Sequence, residues 1–116
     1  RCFFTELAYI ALRERHECGL LCALGGCAPA LARRLHAAST ALERRELEPT
    51  FRALHAAARE AVAGCAHIDG AYDKMYVKLN YAEFPLRLLP PYSSVDENRF
   101  ARFQARCREA LSHLST

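Results

Sequence analysis

Apolar residues recur along this chain at three- and four-residue intervals, the period of a helix that buries one face. Residues 3–24 predict a first helix, with Leu7, Ala11, Cys18 and Cys22 on one stripe and Gly25-Gly26 as its C-cap. Glu14 falls on the same stripe, and the run Arg13-Glu14-Arg15-His16-Glu17 makes its middle unusually charged. Pro29 suits the first turn of a second helix over 28–46, where a missing N–H costs nothing; Leu31, Leu35, Ala38 and Leu42 repeat along it. Pro49 then marks the start of a third helix, 49–66, with Phe51, Leu54, Ala58, Val62 and Cys65 on one face.

Asp69-Gly70 is a turn signal, and a fourth helix over 71–83 carries Tyr72, Met75, Tyr76 and Leu79 before Pro85 stops it. Residues 84–94, FPLRLLPPYSS, hold three prolines and predict the one long irregular stretch. Ser94-Val95-Asp96-Glu97 reads as a capping box opening a fifth helix, 95–114, striped by Phe100, Phe103, Cys107, Leu111 and Leu114. Strand-like alternation is absent from the pattern, as are repeats. The expectation is an all-α single domain over 1–116: a compact five-helix up-and-down bundle with short connections and one Pro-rich loop at 84–94.

Composition adjusts this picture only in part. At 116 residues, 52% apolar and 25% charged, the chain belongs with folded globular domains. No window approaches the ~18 consecutive apolar residues of a membrane-spanning helix, so membrane insertion is not expected. The first residue is Arg1 rather than Met, which reads as a mature form or an excised domain. Fourteen arginines against two lysines, a net charge of +3 and a pI near 8.6 fall short of a nucleic-acid binder's basic stripe, because glutamates interleave the arginines.

Six cysteines raise the question of chemistry. On an up-and-down bundle Cys18, Cys22, Cys27, Cys65 and Cys107 gather toward one end with His16 and His67, leaving Cys2 at the other. Three readings compete. In the first, Cys2, Cys18, Cys22, Cys27, Cys65 and Cys107 form disulfides between segments, since Cys18 and Cys22 stand i, i+4 on one helix and bridge each other poorly. In the second, His16 or Cys18, Cys22, Cys27 and Cys65 or His67 hold a structural zinc, although C-x3-C-x4-C lacks the compact knuckle spacing. In the third, the thiols are reduced core residues, which suits Cys65 and Cys107 on their apolar stripes.

The catalytic motifs of zinc proteases, serine hydrolases, phosphate loops and C-x-x-C oxidoreductases do not occur. A Cys–His dyad from Cys18, Cys22 or Cys65 with His16 or His67 is conceivable, but a small bundle rarely supplies the cleft and oxyanion donors it needs. Enzymatic activity and a cofactor are therefore not expected. The surface stretch 81–94 joins Tyr and Arg, the side chains of binding hot spots, to rigid prolines. Its partner-binding candidates are Tyr81, Phe84, Leu86, Arg87, Leu88 and Tyr92, extended by Tyr72 and Tyr76; about half are expected to cover the bundle's own seam. The expected function is a non-enzymatic protein–protein interaction module, extracellular or luminal and disulfide-stabilised. The alternative is an intracellular or viral helical regulatory or assembly subunit with reduced cysteines or zinc. The expected partner is another protein, which includes a second copy.

Overall fold

The structure, a computed structural model, describes residues 2–114. In chain order its elements are β1 (Cys2–Phe4), α1 (Glu6–Leu12), β2 (Cys18–Leu20), a 3-10 turn (Ala23–Gly26), α2 (Pro29–Ala37), α3 (Ala41–Ala61), α4 (Ala71–Asn80) and α5 (Glu97–Ser112). The mostly helical class is as expected, with one departure, the strand pair. The chain divides into two compact units, with the boundary between Arg52 and Ala53 inside α3.

The first unit overturns the single helix expected over 3–24. β1 and β2 pair in parallel, with Cys2 opposite Cys18, Phe3 opposite Gly19 and Phe4 opposite Leu20. Parallel neighbours need a long crossover connection, and α1 with the charged run after it supplies one. Those five charged or titratable residues have no apolar face to bury. The helix therefore stops, and the Arg15 and His16 amides both donate to the Leu12 carbonyl at 3.0 Å. Gly19 leaves room for its partner: a Cβ there would displace the exposed Phe3 ring. The buried face of α1 is Glu6, Tyr9 and Ile10, so the expected Leu7–Ala11 stripe is rotated toward the surface. Gly25 and Gly26 end a 3-10 turn instead of capping a long helix.

α2 begins at Pro29 as expected and buries Leu31 and Leu35, but it ends at Ala37. The boundary expected near Pro49 lies nine residues earlier, because Thr40 and Glu43 form a capping box. The Thr40 hydroxyl accepts from the Glu43 amide at 3.1 Å, and the Glu43 carboxylate accepts from the amides of Thr40 (3.1 Å) and Ser39 (2.7 Å). Pro49 is carried inside α3, where it donates no bond to the carbonyl four residues back. Leu47, Thr50, Phe51, Leu54, Ala58 and Ala61 keep a buried stripe continuous through it, whereas Leu42 is exposed.

Replacing Thr40 with Ala is expected to cost about 1 kcal/mol of unfolding free energy, read from urea midpoints. The Glu43 carboxyl titrates below its ordinary 4.5, chiefly because the Ser39 amide bonds to its charged form, then the Thr40 amide. A depressed carboxyl stabilises above its unfolded value and loses that contribution as pH falls through the folded one. The protein should therefore lose this stabilisation as pH falls below about 4.5, a dependence that Glu43→Gln should remove.

In the second unit, α4 and α5 carry the apolar stripes expected of them. Met75 and Tyr76 of α4 and Phe100, Phe103, Cys107 and Ala110 of α5 are buried. The Phe103 ring stands 6.1 Å from both the Tyr76 and Phe100 rings, at tilts near 47° and 48°. α5 is capped by Asp96, whose carboxylate accepts from the Arg99 amide at 2.8 Å, and Ser94 of the expected box is used elsewhere. Gly70 precedes α4 with φ +85°, a left-handed conformation, and Leu88 leaves only 3.3 Å for any Cβ there.

Candidate functional site

Within segment 81–94, Phe84, Leu86 and Leu88 are buried or half-buried, and Pro85, Arg87 and Leu89 that alternate with them are exposed. Lys78 near the end of α4 donates to the Ala82 carbonyl at 2.6 Å and the Phe84 carbonyl at 3.1 Å, holding the chain as it leaves the helix. The Lys74 ammonium stands 5.4 Å from the centroid of the Phe84 ring. Farther on, the Leu88 amide donates to the Ser94 hydroxyl at 2.7 Å, which folds 88–94 into a closed turn. The Ser93 amide donates to the His67 carbonyl at 2.9 Å and the Ser93 hydroxyl to the Ala66 carbonyl. His67 is thus fixed by its backbone, at φ +54°, while its side chain stays exposed.

This pinning sorts the expected partner-binding residues. Leu86 is 7% exposed and Tyr76 is 6% exposed, so both are core, and neither is available to a partner. Tyr72, Phe84 and Leu88 are half-buried. Tyr72 stacks against Tyr76 at 6.4 Å. Tyr81, Arg87 and Tyr92 face solvent, together with Leu89, the most exposed large apolar side chain of the segment at 72%. Val95, just after the segment, is buried like Leu86.

The cysteines do not form the expected framework. All six are reduced thiols. Cys2, Cys18, Cys22 and Cys27 belong to the first unit, Cys65 and Cys107 to the second. The long first helix on which the expected gathering rested does not form: Cys18 stands on β2 and Cys22 precedes the 3-10 turn. Cys2 in turn is not stranded: it stands opposite Cys18. Among the described residues, no group of three or more His, Cys, Asp or Glu side chains could hold a metal ion, so the zinc alternative has no ligand set.

Two residues that sequence reasoning passed over organise the surroundings of these thiols. Glu6 is fully buried, and its carboxylate accepts from the Leu24 amide at 2.8 Å and the Cys22 thiol at 3.2 Å. The second residue, Arg99, donates from one guanidinium nitrogen to the Ala61 and Ala63 carbonyls at 2.9 and 2.8 Å, where α3 ends, and stands 3.6 Å from the Cys65 sulfur. Helix C-termini leave carbonyls without internal donors, and a cation there satisfies them. The only signals in the sequence were an acid at the start of a short apolar run and an arginine three residues after an acid. Both are commonplace.

Burial pushes the Cys22 thiol up to about 12, reinforced by its bond to the Glu6 carboxylate and by that group's charge. Burial also lifts Cys27 to about 11, and its thiol donates to the Leu24 carbonyl at 3.3 Å. Both are protonated at neutral pH and serve as weak hydrogen-bond donors. Comparison with protein-family models, curated proteins and solved structures gave no match.

Proposed function

We propose that the protein is a non-enzymatic protein–protein interaction module, with the exposed half of segment 81–94 as its contact surface. The observation that carries this is the pinned turn at 88–94, which holds Tyr92, Leu89 and Arg87 in the open while Leu86 and Val95 are buried beneath. Loops with exposed apolar tips usually pay an ordering cost on binding; this one is ordered beforehand by its own hydrogen bonds. Tyrosine and arginine are the side chains that most often dominate binding energy. Against Cys22 as a catalytic nucleophile stands its raised thiol, since the thiolate is the nucleophile.

Two settings remain for this module. The extracellular or luminal one would use disulfides; the intracellular regulatory or assembly one would keep the thiols reduced. The hydrogen bonds donated by the Cys22 and Cys27 thiols favour the second, because a disulfide sulfur has no proton to donate. The partner is another protein of either setting, or a second copy of this chain.

The test replaces Tyr92 with a photo-crosslinking residue, identifies the captured protein, and then measures its Kd for the wild type and for Tyr92→Ala and Arg87→Ala. Each alanine is expected to weaken binding by about tenfold or more, equivalent to ~1.4 kcal/mol, with the melting temperature unchanged. Unchanged affinity, or a lowered melting temperature, would reject the surface.

A further inference from the structure

Of the six cysteines, two face each other. β1 and β2 run in parallel with Cys2 and Cys18 as register partners, and partners on adjacent strands project to the same side of the ribbon. Both also line one cavity of about 370 Å³, together with Phe4, Leu12, His16 and Glu17. Adjacent strands lie roughly 4.8 Å apart, and a disulfide takes Cα separations of roughly 4.4–6.8 Å. β1 is only three residues long, so it can shift to bring the sulfurs into bonding geometry. Cys2 is exposed and Cys18 is buried, an entry thiol beside a resolving one.

We infer that Cys2 and Cys18 are a redox-active pair that closes to a disulfide on meeting a low-molecular-weight disulfide oxidant, fastening β1 to β2 across α1. The Cys2 thiolate attacks one sulfur of the oxidant, breaking its S–S bond and releasing one thiolate, which takes up a proton. The mixed disulfide on Cys2 is then attacked by the Cys18 thiolate, and the second oxidant thiolate leaves and is protonated. Two protein thiols are oxidised to one disulfide, and one oxidant disulfide is reduced to two thiols. The other thiols of the first unit do not compete: Cys22 bonds to Glu6 and Cys27 to the Leu24 carbonyl. In an oxidising compartment this bridge is a permanent staple; in a reducing one it responds to oxidative stress. The proposal does not depend on the surface at 81–94.

The experiment treats the full chain with excess oxidised glutathione at mildly alkaline pH, quenches with acid, blocks remaining thiols under denaturing conditions, and maps bridges by tandem mass spectrometry without reduction. The expected result is a chain lighter by two hydrogens with one linkage, Cys2 to Cys18, and a melting temperature a few degrees above the reduced form. Cys2→Ser, an exposed substitution that leaves the fold intact, should abolish both the linkage and the shift. The proposal is overturned if Cys2 ends as a stable glutathione adduct in the wild type. It is equally overturned if the bridge that forms lacks Cys2, or if Cys2→Ser keeps the melting shift.

Discussion

Glu6→Ala should lower the unfolding free energy by about 3 kcal/mol, measured by urea titration. The side chain is fully buried, and its removal leaves the Leu24 amide without this acceptor and opens a void of four heavy atoms beneath the 3-10 turn. An orphaned buried amide costs about 1–3 kcal/mol and the lost packing a comparable amount. Glu6→Gln keeps an oxygen for the Leu24 amide and should cost less. It removes the negative charge beside Cys22, so the Cys22 thiol should titrate lower than in the wild type while staying raised by burial, its largest cause. The two variants separate the carboxylate's shape from its charge. A loss for Glu6→Ala no larger than that of an exposed alanine substitution would show that the carboxylate does not hold the turn.

The same thiols set an alkaline limit. A group raised on folding contributes its full stability below its unfolded value and loses it as pH rises through the folded one. With Cys22 near 12 and Cys27 near 11, both against an ordinary 9.0, stability should decline from about pH 9 upward. The decline should be shallower in Glu6→Gln, whose Cys22 is less raised.

Phe103→Ala is expected to be the most damaging change in the second unit, at about 4 kcal/mol. Phe103 is 1% exposed, and its ring meets those of Tyr76 and Phe100, so the truncation removes a large buried area and two aromatic contacts together. Phe103→Leu preserves most of the volume and should cost less than half as much. Near-ultraviolet circular dichroism offers a second readout, because Tyr76 loses its asymmetric neighbour. If Phe103→Ala and Phe103→Leu proved equally mild, the three rings would not be the centre of this unit.

The interface and redox predictions rest on different parts of the chain, and each survives the failure of the other. A disulfide between Cys2 and Cys18 would supply one staple of the kind expected for an extracellular protein without the three-bridge network. The proposed tyrosine surface would serve in either compartment.

The sequence by itself determined the helices whose stripes are long and uninterrupted. α4, α5 and the start of α2 stand where period, proline and turn signals put them, because in those segments burial of one face and local propensity agree. The buried half of 81–94 was legible for the same reason: apolar residues too numerous for a solvated loop. What only the tertiary structure decided is the first 27 residues and the α2–α3 boundary. There, helical spacing and strand pairing compete. A three-residue strand such as CFF or CGL has no periodicity of its own and forms only when a partner strand supplies its hydrogen bonds. Likewise Pro49 reads as a helix start in isolation, yet a capping box nine residues earlier and an unbroken buried stripe carry the helix through it. Pairing Cys2 with Cys18 is a contact between segments separated by an entire helix, and no local signal encodes that.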